Sequence, residues 1–227
     1  MKKLRILLAA IAAVSVSACA GPQMASRNAT ATSETAQNLQ ATSVQKQNAV
    51  ESIAVFVPDV SIAKITVDVP KTLVVSEKNS YFPKGDIVWR GDLFGDRHEQ
   101  VKSILMDSAK RTASKLTGSR PVHMHIQVTR FHGLSEKARY STGGVHNMNF
   151  FVTLLDPVTG ATLRPAREVV TNLDAFGGTA AIAADARGET QKARVTTFLE
   201  QVLRTELTQP AGFQDQNTGF FVTLNKN

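Results

Sequence analysis

Two histidines one residue apart, His123 and His125, are the closest approach to a metal-binding pair in this 227-residue chain. In the strand pattern around them both project to one face, an arrangement that metal sites do use. Two imidazoles make an incomplete ligand set. If Gly143-Gly144 turns a hairpin, His146 lies beside that turn, many residues of about 3.3 Å each from the pair and far beyond a metal–ligand distance. The expected reading is therefore no metal, with His123 and His125 as weak candidates on a polar strand face. Asp92, Asp96 and Glu99 suggest an acid–base set, yet Asp96-Arg97-His98-Glu99 has the form of a helix capping box, which already occupies two of the three carboxylates. Arg90-Gly91-Asp92 is most simply a turn between a short strand and that cap. No Gly-x-Ser-x-Gly elbow, His-Glu-x-x-His, Walker loop or dinucleotide fingerprint occurs, and the glycine-rich Gly91 to Gly95 and Phe176-Gly177-Gly178 lack the Lys-Ser/Thr pair that grips phosphate. The expectation is a protein without catalytic residues or a cofactor.

Cys19 is the one side chain for which the surrounding residues specify a chemistry. Lys2, Lys3 and Arg5 precede an apolar run, Ile6 to Val16, too short for a permanent membrane span and suited to a secretory signal. The run ends in Val16-Ser17-Ala18-Cys19, which resembles a bacterial lipobox: the thiol takes a diacylglyceryl group, the signal is cut before the cysteine, and the new amine is acylated. As the only cysteine of an exported chain it has no disulfide partner. Ala20, Gly21 and Pro22 follow without the second-position aspartate that retains such proteins in the inner membrane, so the resemblance implies the periplasmic face of the outer membrane.

Cleavage would remove three of the 26 basic residues, leaving 23 against 19 acidic ones and lowering the formal charge from +7 to +4. The remaining basic residues form no block and are not interleaved with aromatics, so nucleic acid is not an expected partner. Residues 19–50 are rich in Ala, Ser, Thr, Asn and Gln, with too little apolar surface to offset ordering; they read as a tether reaching roughly 30 Å. The expected division is a signal over 1–18, the lipidated cysteine and tether over 19–50, a periplasmic domain over 51–209 and a tail over 210–227.

Within the domain, Ile53, Val55 and Val57, then Ile65, Val67 and Val69, alternate as strands before Pro58 and Pro70. Leu73 to Val75 and Ile87 to Trp89 suggest brief extended pieces. A helix is expected from the Asp96 cap to Gly118, its stripe set by Val101, Ile104, Leu105, Ala109 and Leu116. Val122, Met124, Ile126 and Val128 then alternate with His123, His125, Gln127 and Thr129, with a bulge expected near Gly133. Met148 to Leu154 continue the apolar face after the Gly143-Gly144 turn. Asp156-Pro157-Val158-Thr159-Gly160 is a second turn, Val169 to Phe176 a third strand, and Glu189 to Leu207 a second amphipathic helix. These elements predict an α+β, two-layer domain: a largely antiparallel sheet with two amphipathic helices on one face, and His123, His125, Gln127 and Thr129 on the other as a candidate partner surface.

The stretch from Asp86-Ile87-Val88-Trp89-Arg90-Gly91-Asp92 to Gly95-Asp96-Arg97, with the lipobox and the Asp156–Gly160 turn, resembles a family of Gram-negative envelope lipoproteins known only by a domain of unknown function. The resemblance covers roughly Ser52 to Leu207 and brings no catalytic residue. In layout the chain also looks like auxiliary lipoproteins of envelope transport machines. The expected function is thus a non-catalytic, outer-membrane-anchored accessory held to the membrane by its lipid and binding another envelope protein. Alternatives are a transporter auxiliary handling lipid or a small ligand, which needs an apolar cavity between helices and sheet, and a periplasmic hydrolase, which needs a pocket of converging titratable groups.

Overall fold

The computed structural model describes residues 59–217 and Gly219. Val16, Ser17, Ala18 and Cys19, the tether, the strand expected at Ile53–Val57 and the apolar tail residues Phe220 to Leu224 lie outside the described residues. The elements in chain order are β1 (Val60–Asp68), β2 (Ile87–Val88), α1 (Arg97–Ala113), β3 (Arg120–His132), α2 (Glu136–Arg139), β4 (Gly144–Leu155), β5 (Thr162–Ala175), α3 (Gly178–Ala186) and α4 (Gln191–Thr208). They form an α+β fold with a largely antiparallel sheet.

The β3–β4–β5 meander is antiparallel. Along the other edge of β3, β1 and β2 lie end to end and both run parallel to it, β1 against residues 120–127 and β2 against Phe131 and His132. Alternation in a sequence marks a strand without giving its direction; parallel pairing needs a crossover, which α1 supplies between β1 and β3. Val122, Met124, Ile126 and Val128 of β3 and Met148, Phe150, Val152 and Leu154 of β4 are all buried, facing the stripes of α1 and α4. The two helices approach closely enough for the buried hydroxyls of Ser108 and Thr112 to reach the Thr196 and Glu200 carbonyls at 3.0 and 3.1 Å.

Several boundaries differ from expectation for identifiable reasons. Helix α1 stops at Ala113, and Gly118 serves instead where its N–H meets the Val60 carbonyl at 3.1 Å and a Cβ would overlap the Asp59–Val60 backbone. The bulge falls between Val128 and Arg130, leaving Thr129 unpaired; Gly133 permits a backbone approach, donating to the Val88 carbonyl at 2.7 Å. Gly143-Gly144 is no tight hairpin: residues 133–143 form a longer connection that contains α2, and Gly143 takes a φ of +73° at its end. Strand β5 starts at Thr162, ahead of Val169, and α3 was not foreseen because its Gly-Thr-Ala-Ala-Ile-Ala-Ala run has no polar–apolar period and no side-chain cap. Helix α4 begins at Gln191, with Thr190 Oγ1 accepting from the Ala193 N–H at 3.2 Å. Thr190→Ala is expected to lower stability by about 1 kcal/mol, read as a shift in the urea midpoint.

The register defines two ends of the sheet. At one end lie the starts of β1 and β3 and the β4–β5 turn, since Val60 pairs with Arg120 and His123 with Leu155. At the other end lie the ends of β2, β3 and β5 and the start of β4, since His132 pairs with Asn147 and Gly144 with Ala175. Strand β3, at 13 residues, separates these ends by roughly 43 Å.

Candidate functional site

The second end carries apolar side chains where loops are ordinarily polar. Leu93 is 91% exposed and Phe94 84%, and Tyr81, Phe82, Tyr140 and Phe176 are exposed around the same sheet end. Single exposed apolar residues are unremarkable, whereas several on adjoining loops mark a contact surface.

The backbone beneath Leu93 is pinned. Trp89 is buried edge-on to Phe131, ring centroids 5.4 Å apart, and its indole N–H donates to Asp92 Oδ2 at 2.7 Å. Lys192 Nζ, from the first turn of α4, reaches Asp92 Oδ1 at 2.7 Å. Arg97, buried at the start of α1, donates to Glu77 Oε1 at 2.8 Å, to Gln100 Oε1 at 2.7 Å and to the Leu93 carbonyl at 3.1 Å. Gln100 Nε2 donates to the same carbonyl at 2.8 Å. Arg90 also pairs with Glu77, so one carboxylate joins the 77–84 loop to the 90–97 loop. The hydrogen bond from Arg97 holds the Glu77 carboxyl below its ordinary range, with burial opposing it. Gly91 is required here because a Cβ would overlap the Trp89 ring. The charged residues of this loop therefore hold its shape, and Leu93 and Phe94 are what it presents.

The neighbouring loops are fixed in the same manner. Arg139 of α2, itself buried, donates to Asp185 Oδ1 at 2.5 Å and Gln191 Oε1 at 2.9 Å. Arg194 lies 3.9 Å above the Phe176 ring and donates to the Asp174 carbonyl at 2.8 Å. Lys137 sits 4.7 Å from the Tyr81 ring centroid. Among these groups His146 is buried with neither ring nitrogen hydrogen-bonded. Burial first, then Arg194, Arg139 and His132, pushes its pKa down to about 3.

The sequence candidates fall elsewhere. His123 Nε2 and His125 Nδ1 both turn onto the Thr66 hydroxyl, at 2.9 and 2.8 Å, on the sheet face opposite the helices. One hydroxyl proton cannot serve both rings, so one imidazole accepts from Thr66 and the other donates to it. Burial, then Lys64 and His125, lowers the His123 pKa. Gln127 donates to Asp68 Oδ2 at 3.3 Å, and Thr129 sits in the bulge. No group of three or more His, Cys, Asp or Glu side chains suited to a metal occurs among the described residues. Asp96 caps α1 by accepting from the His98 and Glu99 N–H groups, while the Glu99 carboxylate faces Lys71 and Lys102. The sequence reading passed over the loop end. Its available signal was Leu93-Phe94 between Gly91 and Gly95, an apolar pair inside a glycine-bounded turn.

Between helices and sheet lies a core of buried aliphatic and aromatic side chains, and an apolar groove at the β5 edge is lined by Leu173, Ala193, Phe198 and Arg194. No helix among the described residues is long and apolar enough to cross a membrane.

The family of unknown function DUF6778 matches residues 60–223. No curated protein matches the chain. Among solved structures, the chain is similar to a provisionally assigned lipoprotein from Caulobacter crescentus, at 15% identity over 49% of this chain and 84% of that one, with a TM-score of 0.31. It is similar to a Xanthomonas campestris protein of the DUF330 family at 14% identity, covering 68% and 81%, with a TM-score of 0.34. A dodecameric PelC variant from Paraburkholderia phytofirmans is 12% identical over 66% and 87%, with a TM-score of 0.30. Likenesses of this size carry no argument about function.

Proposed function

The chain belongs to the DUF6778 family, and from that premise we propose that it is an envelope lipoprotein whose folded domain is a non-catalytic docking module. Cys19 becomes the acylated first residue after cleavage behind Ala18, and the anchor holds the domain at the periplasmic face of the outer membrane. The module docks on another component of the envelope through the loop end of its sheet. The observation that carries this reading is the pair Leu93 and Phe94, almost fully exposed on a backbone fixed by Arg97, Gln100 and the Asp92 contacts. Rigid presentation of apolar side chains removes the ordering cost that a flexible loop would meet on binding.

The geometry favours this end over the face of His123, His125, Gln127 and Thr129, where polar groups bond one another and the strands read as an ordinary wet face. Among the described residues, the first strand begins at Val60, at the end of the sheet opposite the apolar loops.

Two measurements test the proposal. Cys19→Ser is expected to leave an unprocessed or released protein; outer-membrane fractionation with incorporation of labelled fatty acid in that variant would overturn the anchor. A photoreactive residue in place of Leu93 is expected to give adducts in intact cells, with protein or with lipid, while the same residue in place of Val158, equally exposed at the other end of the sheet, gives none. Equal labelling from both positions would overturn the assignment of the docking surface.

A further inference from the structure

Resting on that docking reading, we infer that the component met by the loop end is an anionic lipid surface, into which Leu93 and Phe94 insert. The first argument is shape. Both side chains stand out from the apex of their loop with almost no surface covered, so a protein partner would have to supply a matching pocket for each. A bilayer interface takes up protruding apolar side chains without complementary shape, and aromatic side chains such as Tyr81 and Phe82 on the adjoining loop suit its headgroup level.

The second argument is charge. Lys78 and Lys84 flank Tyr81-Phe82 in Lys78-Asn79-Ser80-Tyr81-Phe82-Pro83-Lys84, and both are exposed with no carboxylate in ion-pair contact among the described residues. The acidic groups at this end are largely engaged: Glu77 by Arg90 and Arg97, Asp92 by Lys192, Asp185 by Arg139, with Glu136 left exposed. Two unengaged lysines thus stand beside the exposed Tyr81-Phe82 pair, the combination that binds anionic interfaces, while the carboxylates outside ion pairs include Glu136, which lines the same hollow as Leu93 and Phe94, and the exposed Asp174. Glu77 holds the lysine-bearing loop and the Leu93 loop together, so both contacts form at one time.

Chain length permits the contact. From Cys19 to Asp59 there are 40 residues, which extended would span up to about 140 Å, well beyond the roughly 43 Å from one end of β3 to the other. An anchored domain can therefore turn its loop end to a bilayer.

The test uses the full chain with Cys19→Ser, so that one new cysteine accepts an environment-sensitive dye, placed by Leu93→Cys in one protein and Val158→Cys in another. Emission of Trp89, the only tryptophan and a buried one, verifies that each labelled chain is folded. With vesicles of phosphatidylglycerol and phosphatidylethanolamine, the dye at 93 is expected to shift to the blue and to be quenched from within the bilayer, while the dye at 158 stays unchanged. Whatever the first 58 residues do on vesicles is common to both proteins. Lys78→Gln with Lys84→Gln should raise the lipid concentration needed for half the shift about thirtyfold. Phe94→Ser should raise it about tenfold or more. On phosphatidylcholine alone the lysine substitutions should have no effect. A silent dye at 93, or equal shifts at 93 and 158, overturns the inference. If the dye is silent while a photoreactive residue at 93 captures one protein in cells, the lipid inference falls and the docking module stands. If neither responds, both fall.

Discussion

Glu206→Ala is expected to cost about 3 to 5 kcal/mol of stability, measured as the urea midpoint at neutral pH, because it strips the carboxylate from a buried ion cluster. Glu206 lies in the last turns of α4 with no exposed surface. Its Oε1 stands 3.1 Å from Arg164 Nη2 and 3.7 Å from Arg167 Nε, and its Oε2 accepts the Phe213 N–H at 2.8 Å. Burial draws the Arg164 pKa down and the Glu206 charge opposes that, so alanine would leave a largely buried guanidinium without its carboxylate. Replacing Glu206 and Arg164 together by Leu and Met should cost less than Glu206→Ala, since the only cluster charge then left is that of Arg167, whose side chain is a third exposed. A double variant no more stable than the single one would show that the ion pair is not what matters. The cluster also seats the chain after α4. Phe213 packs edge-on to Phe198, and Asn217 donates to the Asn172 carbonyl and to Asp174, covering part of the otherwise open edge of β5. Loss of Glu206 should therefore release the segment beyond Pro210 before the sheet itself unfolds.

What the sequence revealed follows from which signals are local. The stripes of α1 and α4, the alternation of β3 and β4, and the Asp156–Gly160 turn are periodic or steric, and each appears close to its expected place; Asp156 Oδ1 accepts from Val158 and Thr159, and Gly160 takes a φ of +73°. The parallel pairing of β1 was illegible because direction is a property of the crossover. Strand β5 reads poorly from Thr162 to Glu168 because Arg164 and Arg167 occupy places where an apolar residue would have marked the strand, and their partner Glu206 lies far away in sequence. At the loop end the difficulty was different. Arg90, Asp92 and Arg97 look like solvated turn residues in a sequence, yet they bond one another, Glu77 and Lys192, and the side chains left facing water are Leu93 and Phe94. That inversion depends on Glu77 and Lys192, both distant along the chain from the turn they stabilise. His146 carried a usable signal, sharing the parity of Met148, Phe150, Val152 and Leu154, all of them buried, yet the expected turn at Gly143-Gly144 placed it only beside that turn.

Acid should destabilise this domain in a range where its carboxylates are still largely ionised, and His146 should be the main cause. In the folded chain its imidazole is neutral, buried and without a hydrogen-bond partner, with a pKa of about 3; unfolded, it would take up a proton near 6.5. The stabilising contribution of the neutral, depressed group is therefore fully present above pH 6.5 and is lost progressively as pH falls toward 3. One extra proton bound by the unfolded chain corresponds to about 1.4 kcal/mol per pH unit once the unfolded histidine is fully protonated, or about 2.3 kcal/mol between pH 6.5 and pH 4.5. His132 and His123, whose values burial also lowers, act in the same direction. Glu77 and Asp96 are held below their ordinary values, so the unfolded chain takes up their protons first and they add to the slope from about pH 5 downward. The window from about 6.5 to 5 thus isolates the histidines. His146→Leu should remove up to about 1.4 kcal/mol per pH unit from the slope there, measured by urea midpoints at closely spaced pH values. At pH 7 it should leave stability equal or higher, because an apolar side chain in that place has no unsatisfied nitrogen. An unchanged slope would mean that the imidazole is hydrated or paired in solution. The groups facing His146 are Arg194 from α4, Arg139 from α2 and His132 from β3, and Arg139 ties α2 to the start of α4 through Gln191. Protonation would place a third cation beside Arg194 and Arg139, which brace the loops beside Leu93 and Phe94, so the loop end should loosen first, with Trp89 emission changing before the far-ultraviolet signal of the sheet and helices does.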